Sequence, residues 1–154
     1  MKIKMQPGGH STKRVRIRVN RCFGCGAGNP GGMRLKFTFD EHNHRAYSRF
    51  RLPKRFQGPP GHVHGGIIAA ILDEAMSKVN KLRSVLAPTA KMTVQFLRPV
   101  PLSQPLMVEG WEQSVRGRKH VNLAEIRNAS GETLARGRGL FIAVDPKRFA
   151  KYLK

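Results

Sequence analysis

One stretch of this 154-residue chain carries a helical period, and the segments around it alternate. From Gly65 to about Leu82, at roughly 100° per residue, Ile68, Ile71, Leu72, Ala75, Met76 and Val79 fall on one apolar stripe. Pro59-Pro60 makes a rigid approach to it, and Pro88 closes its exit. Before it, Leu35, Phe37 and Phe39 alternate in a strand ending near Asp40, and a second strand at about 44–52 completes a hairpin. After it come four strand-like runs: Met92, Val94 and Phe96; Leu106, Val108 and Gly110; residues 119–127; and residues 133–144. Turns at Val115-Arg116-Gly117-Arg118 and Asn128-Ala129-Ser130-Gly131 separate the last three. Two strands, a long helix and four strands predict an α+β domain. Its helix lies against one face of a strongly curved antiparallel sheet. A single helix cannot cover both faces of such a sheet, so a second subunit is expected over the helix edge.

This length suits one domain with a real core, and 40% hydrophobic residues exclude a disordered chain. Residues 1–20 read as a basic, partly mobile arm, with a possible strand at 14–19 (Val15, Ile17, Val19), and 21–154 as one domain with a basic tail. No apolar run approaches a membrane span, and no signal-peptide core follows the basic start, so a cytoplasmic location is expected. The net charge of +20, from 29 Lys and Arg against 9 Asp and Glu, attracts polyanions without saying which. Cys22 and Cys25 form one C-x-x-C. A second ligand pair is lacking, His42 and His44 fit no standard metal spacing, and Gly and Pro residues follow where a redox pair would need a helix. The reading is reduced structural thiols in a turn, with no metal and no cofactor.

The chemistry concentrates where Gln57-Gly58-Pro59-Pro60-Gly61-His62-Val63-His64-Gly65-Gly66 opens into the helix. Gly65 and Gly66 lack a Cβ, so a ligand can come close to the backbone. The first N–H groups of a helix have no internal partner and suit a carbonyl oxygen that becomes negative. Asp73 lies two turns on, at the edge of the apolar stripe, without an i+3 or i+4 base. Glu74 falls on the far side with Lys78 at i+4, and reads as a solvated acid.

These motifs resemble the hotdog-fold acyl-CoA thioesterases, in particular the phenylacetate-pathway-like group, over most of residues 21–144. The resemblance rests on Cys22-Phe23-Gly24-Cys25-Gly26 with Asn29-Pro30, the Gly-Pro-Pro-Gly-His-Val-His-Gly-Gly segment, and Leu72-Asp73-Glu74-Ala75-Met76. Thr89-Ala90-Lys91 and Arg98-Pro99-Val100-Pro101-Leu102 complete it. It implies a central helix wrapped by a sheet of five to six strands, and a homodimer with two interfacial sites or a tetramer of two such dimers. It also implies Asp73 as the catalytic acid residue and the Gly66 N–H as oxyanion donor. His64 would hold the loop and the thioester, and Thr89 would orient water. Many members carry an Asn before His-Gly-Gly; this chain has none, and Gln57 is the nearest amide.

The expected activity is hydrolysis of an acyl-CoA thioester, with Asp73 as general base or nucleophile. Arg98, Arg116, Arg118 and Lys119 are the expected contacts for the CoA phosphates. Two other classes remain: a non-catalytic acyl-CoA-binding hotdog protein, and a basic nucleic-acid-binding module. One Trp and two Tyr give the latter little to stack on bases. A hotdog dehydratase fits less well, because its His/acid pairing is not the pattern here.

Overall fold

The computed structural model describes residues 19–152. All but Val19 of the strand expected at 14–19, and most of the basic arm, lie outside the described residues.

Six strands form one antiparallel sheet in the order β1-β2-β4-β5-β6-β3. They are β1 (Thr38–Asp40), β2 (Arg45–Phe50), β3 (Thr89–Phe96), β4 (Leu106–Arg116), β5 (Lys119–Asn128) and β6 (Thr133–Ile142). The long helix α1 runs Gly65–Lys81, with Leu82 as its C-cap, and a short helix α2 (Pro146–Phe149) follows β6. Among the described residues, no helix is long and apolar enough to cross a membrane. This is the helix-in-sheet architecture of the hotdog fold.

Small residues let the helix sit deep in the sheet. Ala46, Gly110, Ala124 and Gly137 stand opposite one another on β2, β4, β5 and β6, making a shallow trough across four strands. At Gly110 a Cβ would lie 2.6 Å from the Ala75 carbonyl oxygen of the helix. Ile71, Leu72, Ala75 and Met76 fill the space above the trough, each fully buried, as the stripe predicts. Buried Asn122 on β5 donates to the Met76 carbonyl (2.9 Å) and to Asn80 Oδ1 (2.7 Å), which fixes the helix along its axis. On the opposite face Glu109 and Glu125 are held by Arg45, Arg127 and Arg136.

Two expectations change. The strand through Leu35, Phe37 and Phe39 pairs only over Thr38–Asp40. Upstream, the Leu35 N–H bonds to the Gly24 carbonyl (2.9 Å) and the Met33 N–H to the Phe23 carbonyl (2.8 Å), so this backbone is tied to the cysteine loop instead of to β2. Glu74 is not a solvated acid: its side chain is 15% exposed, and it meets Lys78 and the cysteine loop. The loop covers the helix face that the period alone would leave to water.

Candidate active site

The helix start is built by its own N-cap. His64 has extended backbone angles, its carbonyl accepts from Ile67 and Ile68, and its ring Nδ1 accepts from the Gly66 N–H at 2.9 Å. The predicted oxyanion donor is therefore capped by the neighbouring imidazole. His64 is exposed, so the ring has room to rotate away. The Gly65 N–H has no acceptor among the described residues.

Gly65 borders a cavity of about 380 Å³ lined chiefly by Val63, Ile68, Phe96, Leu97, Pro99 and Val100, with Arg98 at its rim. Phe96 is 58% and Leu97 46% exposed, so apolar surface continues from the cavity onto the protein exterior. Gln57 does not face this cavity with a free amide; its Oε1 accepts from the Gly61 N–H (3.3 Å) and braces the turn. Its N–H and that of Gly58 likewise close the turn, on the Lys54 and His62 carbonyls.

Asp73 is half-buried, and its Oδ1 accepts from the Thr89 hydroxyl at 2.7 Å. Thr89 reaches it because β3 opens with an irregular register: Thr89 stands opposite Phe141, and Lys91 stands opposite Leu140. The extra residue turns the threonine side chain towards the helix. A hydroxyl that donates to one oxygen of a carboxylate fixes its plane and leaves the other oxygen for a water or an acyl carbon. Two turns of helix, roughly 10 Å, separate Gly66 from Asp73. One acyl carbonyl cannot touch both within a single protomer.

The predicted basic contacts divide into two groups. Arg98 follows the end of β3 and pairs with Glu132 at 2.5 Å. Arg116, Arg118 and Lys119 sit at the β4–β5 turn, which is tied to the start of β3. The Ala143 N–H bonds to the Arg118 carbonyl, and the next bond in line runs from Ile142 to Pro88. The eight residues of β3, roughly 25 Å of extended chain, lie between the two groups. Arg116 and Lys119 line a second recess of about 430 Å³ with Arg138, which sequence reasoning did not single out. None of the three turn bases has a carboxylate partner among the described residues.

Among the described residues, the side chains of metal-ligating type that come together are Cys22, Cys25 and Glu74, beside α1. Burial works against the charge on Glu74, but contacts from Cys25, Lys78 and Cys22 outweigh it and hold the carboxyl below its ordinary range. Burial similarly opposes the Lys78 ammonium, and Cys25 and Glu74 raise its pKa regardless. Sequence spacing marked the cysteine pair but missed Glu74, which comes from a distant segment.

A family model described as the thioesterase superfamily matches residues 60–135, the span that holds the His-Gly-Gly turn, Asp73 and Thr89. The mouse (Mus musculus) acyl-coenzyme A thioesterase THEM4 is 30% identical over 118 residues, covering 76% of this chain and 51% of that protein. The cattle (Bos taurus) THEM4 is 32% identical over 93 residues, 60% of this chain and 38% of that protein. The chain thus spans about half or less of the length of these curated relatives. A crystal structure of a thioesterase superfamily protein superposes with a TM-score of 0.69 at 32% identity, over 73% of this chain and 55% of that one. The PaaI protein from the phenylacetic acid degradation operon of E. coli shares the fold, with a TM-score of 0.68 at 19% identity over 73% of this chain and 81% of that one. By motif, fold and these matches, the chain is similar to members of the thioesterase superfamily.

Proposed function

We propose that the protein hydrolyses acyl-CoA thioesters at sites shared between two copies of the chain. The observation that carries this reading is the Asp73 carboxylate held by Thr89, on the same helix whose Gly65-Gly66 start opens beside an apolar cavity. The carboxylate takes a proton from water as it attacks the thioester carbon, or attacks that carbon itself. The carbonyl oxygen, negative in the tetrahedral state, meets the helix N-terminus. Collapse breaks the C–S bond and the CoA thiolate leaves, taking up a proton; where the carboxylate itself attacks, water then cleaves the acyl–Asp73 anhydride to release the acid and restore Asp73.

For the Gly66 N–H to serve, the His64 ring releases it to the substrate oxygen. The exchange replaces one hydrogen bond by another, and the Gly65 N–H stands beside it as a second donor. Oxyanion donors of this type contribute about 3–4 kcal/mol each.

Two copies solve the separation between Gly66 and Asp73. β3 is an edge strand, and most of its residues are exposed. Antiparallel pairing of two β3 edges sets the Phe96 end of one protomer beside the Thr89 end of its partner. That brings a helix start and cavity from one copy towards a carboxylate from the other. It also brings Arg98 towards the β4–β5 turn of the facing subunit, so the two basic groups frame one entrance. The acyl-coenzyme A thioesterase name of the mouse and cattle relatives supports the substrate class.

The test is release of free CoA thiol from a panel of short, long and aromatic acyl-CoAs by purified protein, with sedimentation at assay concentration. Turnover of at least one member by a dimer or larger assembly is expected. Tight acyl-CoA binding without turnover would instead favour the non-catalytic binding protein. A fully active monomer would contradict the shared site. Mixed dimers of a Gly66→Pro protomer and an Asp73→Asn protomer should regain activity, because one of their two sites is intact.

A further inference from the structure

We propose that Cys22, Cys25 and Glu74 form a binding site for one divalent ion of the zinc class, with Lys78 as its charge-balancing partner, separate from the thioester site.

The three donor atoms, two Sγ and one carboxylate oxygen, all lie within 4.8 Å of one another. A tetrahedral zinc ion with bonds of about 2.3 Å to sulfur and 2.0 Å to oxygen needs its donors roughly 3.5–3.8 Å apart. The Cys22 Sγ to Glu74 Oε2 distance is 3.8 Å. A shift of about 1 Å or less thus closes the set around an ion, and neither the loop nor the helix has to move as a whole. The C-x-x-C spacing is the one that places two sulfurs on one metal. The third donor comes from the helix, 52 residues beyond Cys22.

The loop is built for this approach. The Gly26 N–H closes on the Cys22 carbonyl at 2.9 Å, which turns both sulfurs to one side. At Gly24 a Cβ would stand 2.5 Å from Glu74 Oε2, so a side chain there would push that carboxylate aside. Phe23, between the cysteines, packs edge-on against Phe56 with ring centroids 6.2 Å apart.

Lys78 plays the part of an outer-shell group. It is 7% exposed, and its Nζ lies 2.8 Å from Glu74 Oε1 and 2.8 Å from Cys25 Sγ. Glu74 thereby keeps one oxygen on the lysine and turns the other towards Cys22, the arrangement in which a ligating carboxylate is itself held by a hydrogen bond. Each thiol gives its proton to solvent as the ion binds. Two thiolates and one carboxylate with a divalent ion carry one net negative charge, and the Lys78 ammonium cancels it. Cys22 is exposed, so water completes the fourth corner. The ion would clip the cysteine loop to α1 one residue beyond Asp73.

The experiment uses reduced, metal-stripped protein titrated with Co(II) near neutral pH. One Co(II) per chain should bind, with sulfur-to-cobalt charge-transfer absorption and the strong visible bands of a tetrahedral site, and Zn(II) should displace it. The Cys22→Ser/Cys25→Ser double variant, checked as folded by circular dichroism, should lose the charge-transfer bands. Glu74→Gln should weaken Co(II) binding at least about tenfold. The proposal is overturned if stoichiometric Co(II) gives no charge-transfer band, or if the band persists in the double cysteine variant. In either case Lys78 alone is the cation of this cluster. The readout does not involve thioester turnover, so it stands or falls apart from the proposed activity.

Discussion

Replacing Thr89 by valine isolates the contact on which the proposed carboxylate chemistry depends. Valine keeps the β-branch and the volume and loses the hydroxyl that donates to Asp73 Oδ1 at 2.7 Å. Thr89 is exposed at the start of an edge strand, so the fold should not notice: the unfolding free energy should stay within the range of an ordinary surface change, about 0.5 kcal/mol, and Tm should barely move. A hydrogen bond to a charged group contributes about 1.5–3 kcal/mol. Asp73 is half-buried, and water can replace part of the lost bond, which favours the lower half of that range. At about 1.4 kcal/mol per factor of ten, kcat should fall roughly 10- to 40-fold. KM should change little, because the hydroxyl acts on the carboxylate and not on the substrate. Thr89→Ser restores the donor and should recover most of kcat. The assay is steady-state release of CoA thiol from an acyl-CoA that the wild type cleaves. A valine variant within about twofold of wild-type kcat would refute the reasoning, because Asp73 would then need no orienting hydroxyl.

Three further outcomes follow from other parts of the molecule. Gly110→Ala drives a methyl group to 2.6 Å from the Ala75 carbonyl, against helix backbone that cannot rotate aside, and should cost about 1–3 kcal/mol, seen as a lower Tm; an unchanged Tm would mean the helix is not seated as described. Burial alone would raise the Glu125 carboxyl, but Arg127 and Arg136 outweigh it and hold it below its ordinary value. Its stabilising contribution is therefore present above the unfolded carboxyl pKa of about 4.3 and is lost as pH falls through the lower folded value; urea midpoints of wild type and Glu125→Gln should converge towards acid, and a gap independent of pH down to pH 3 would contradict this. Replacing Arg116, Arg118 and Lys119 together by alanine strands no carboxylate, and should raise KM for CoA thioesters far more than for a short thioester lacking the nucleotide, with added salt acting on wild type in the same direction; equal effects on both substrates would make the turn a merely solvated surface.

The elements that periodicity can describe were legible in the chain. The α1 stripe and the alternation of β3 to β6 depend on local order, and each of these elements appears within a few residues of its expected limits. What escaped the sequence depended on contacts between distant segments. Helical angles put Glu74 away from the apolar stripe, and nothing local says that the loop of Cys22–Cys25 descends on that face. The shortened β1 has the same cause, since Leu35 gives its N–H to the loop. Helix-start logic correctly marked Gly66 as a donor without an intrahelical partner. It could not show that the ring of the preceding His64 turns back to accept from it, because a histidine at that position is free to point elsewhere. Asp73 stands out by its place at the edge of the helix stripe, and Thr89 by the family resemblance; the register shift in β3 that brings them within hydrogen-bond distance has no signature in the residues themselves.

The central claim is that Asp73 carries out the attack on a thioester, directly or through water. It is tested most directly by the ratio of kcat/KM between wild type and Asp73→Asn on one acyl-CoA that the wild type hydrolyses. Asparagine keeps the size and can still accept from Thr89, but it neither takes a proton nor attacks a carbonyl carbon. Loss of a positioned base or nucleophile removes about 100-fold or more, so a ratio of at least about 100 is expected, with folding and acyl-CoA binding retained. Near-wild-type turnover by the purified Asp73→Asn protein would contradict the account.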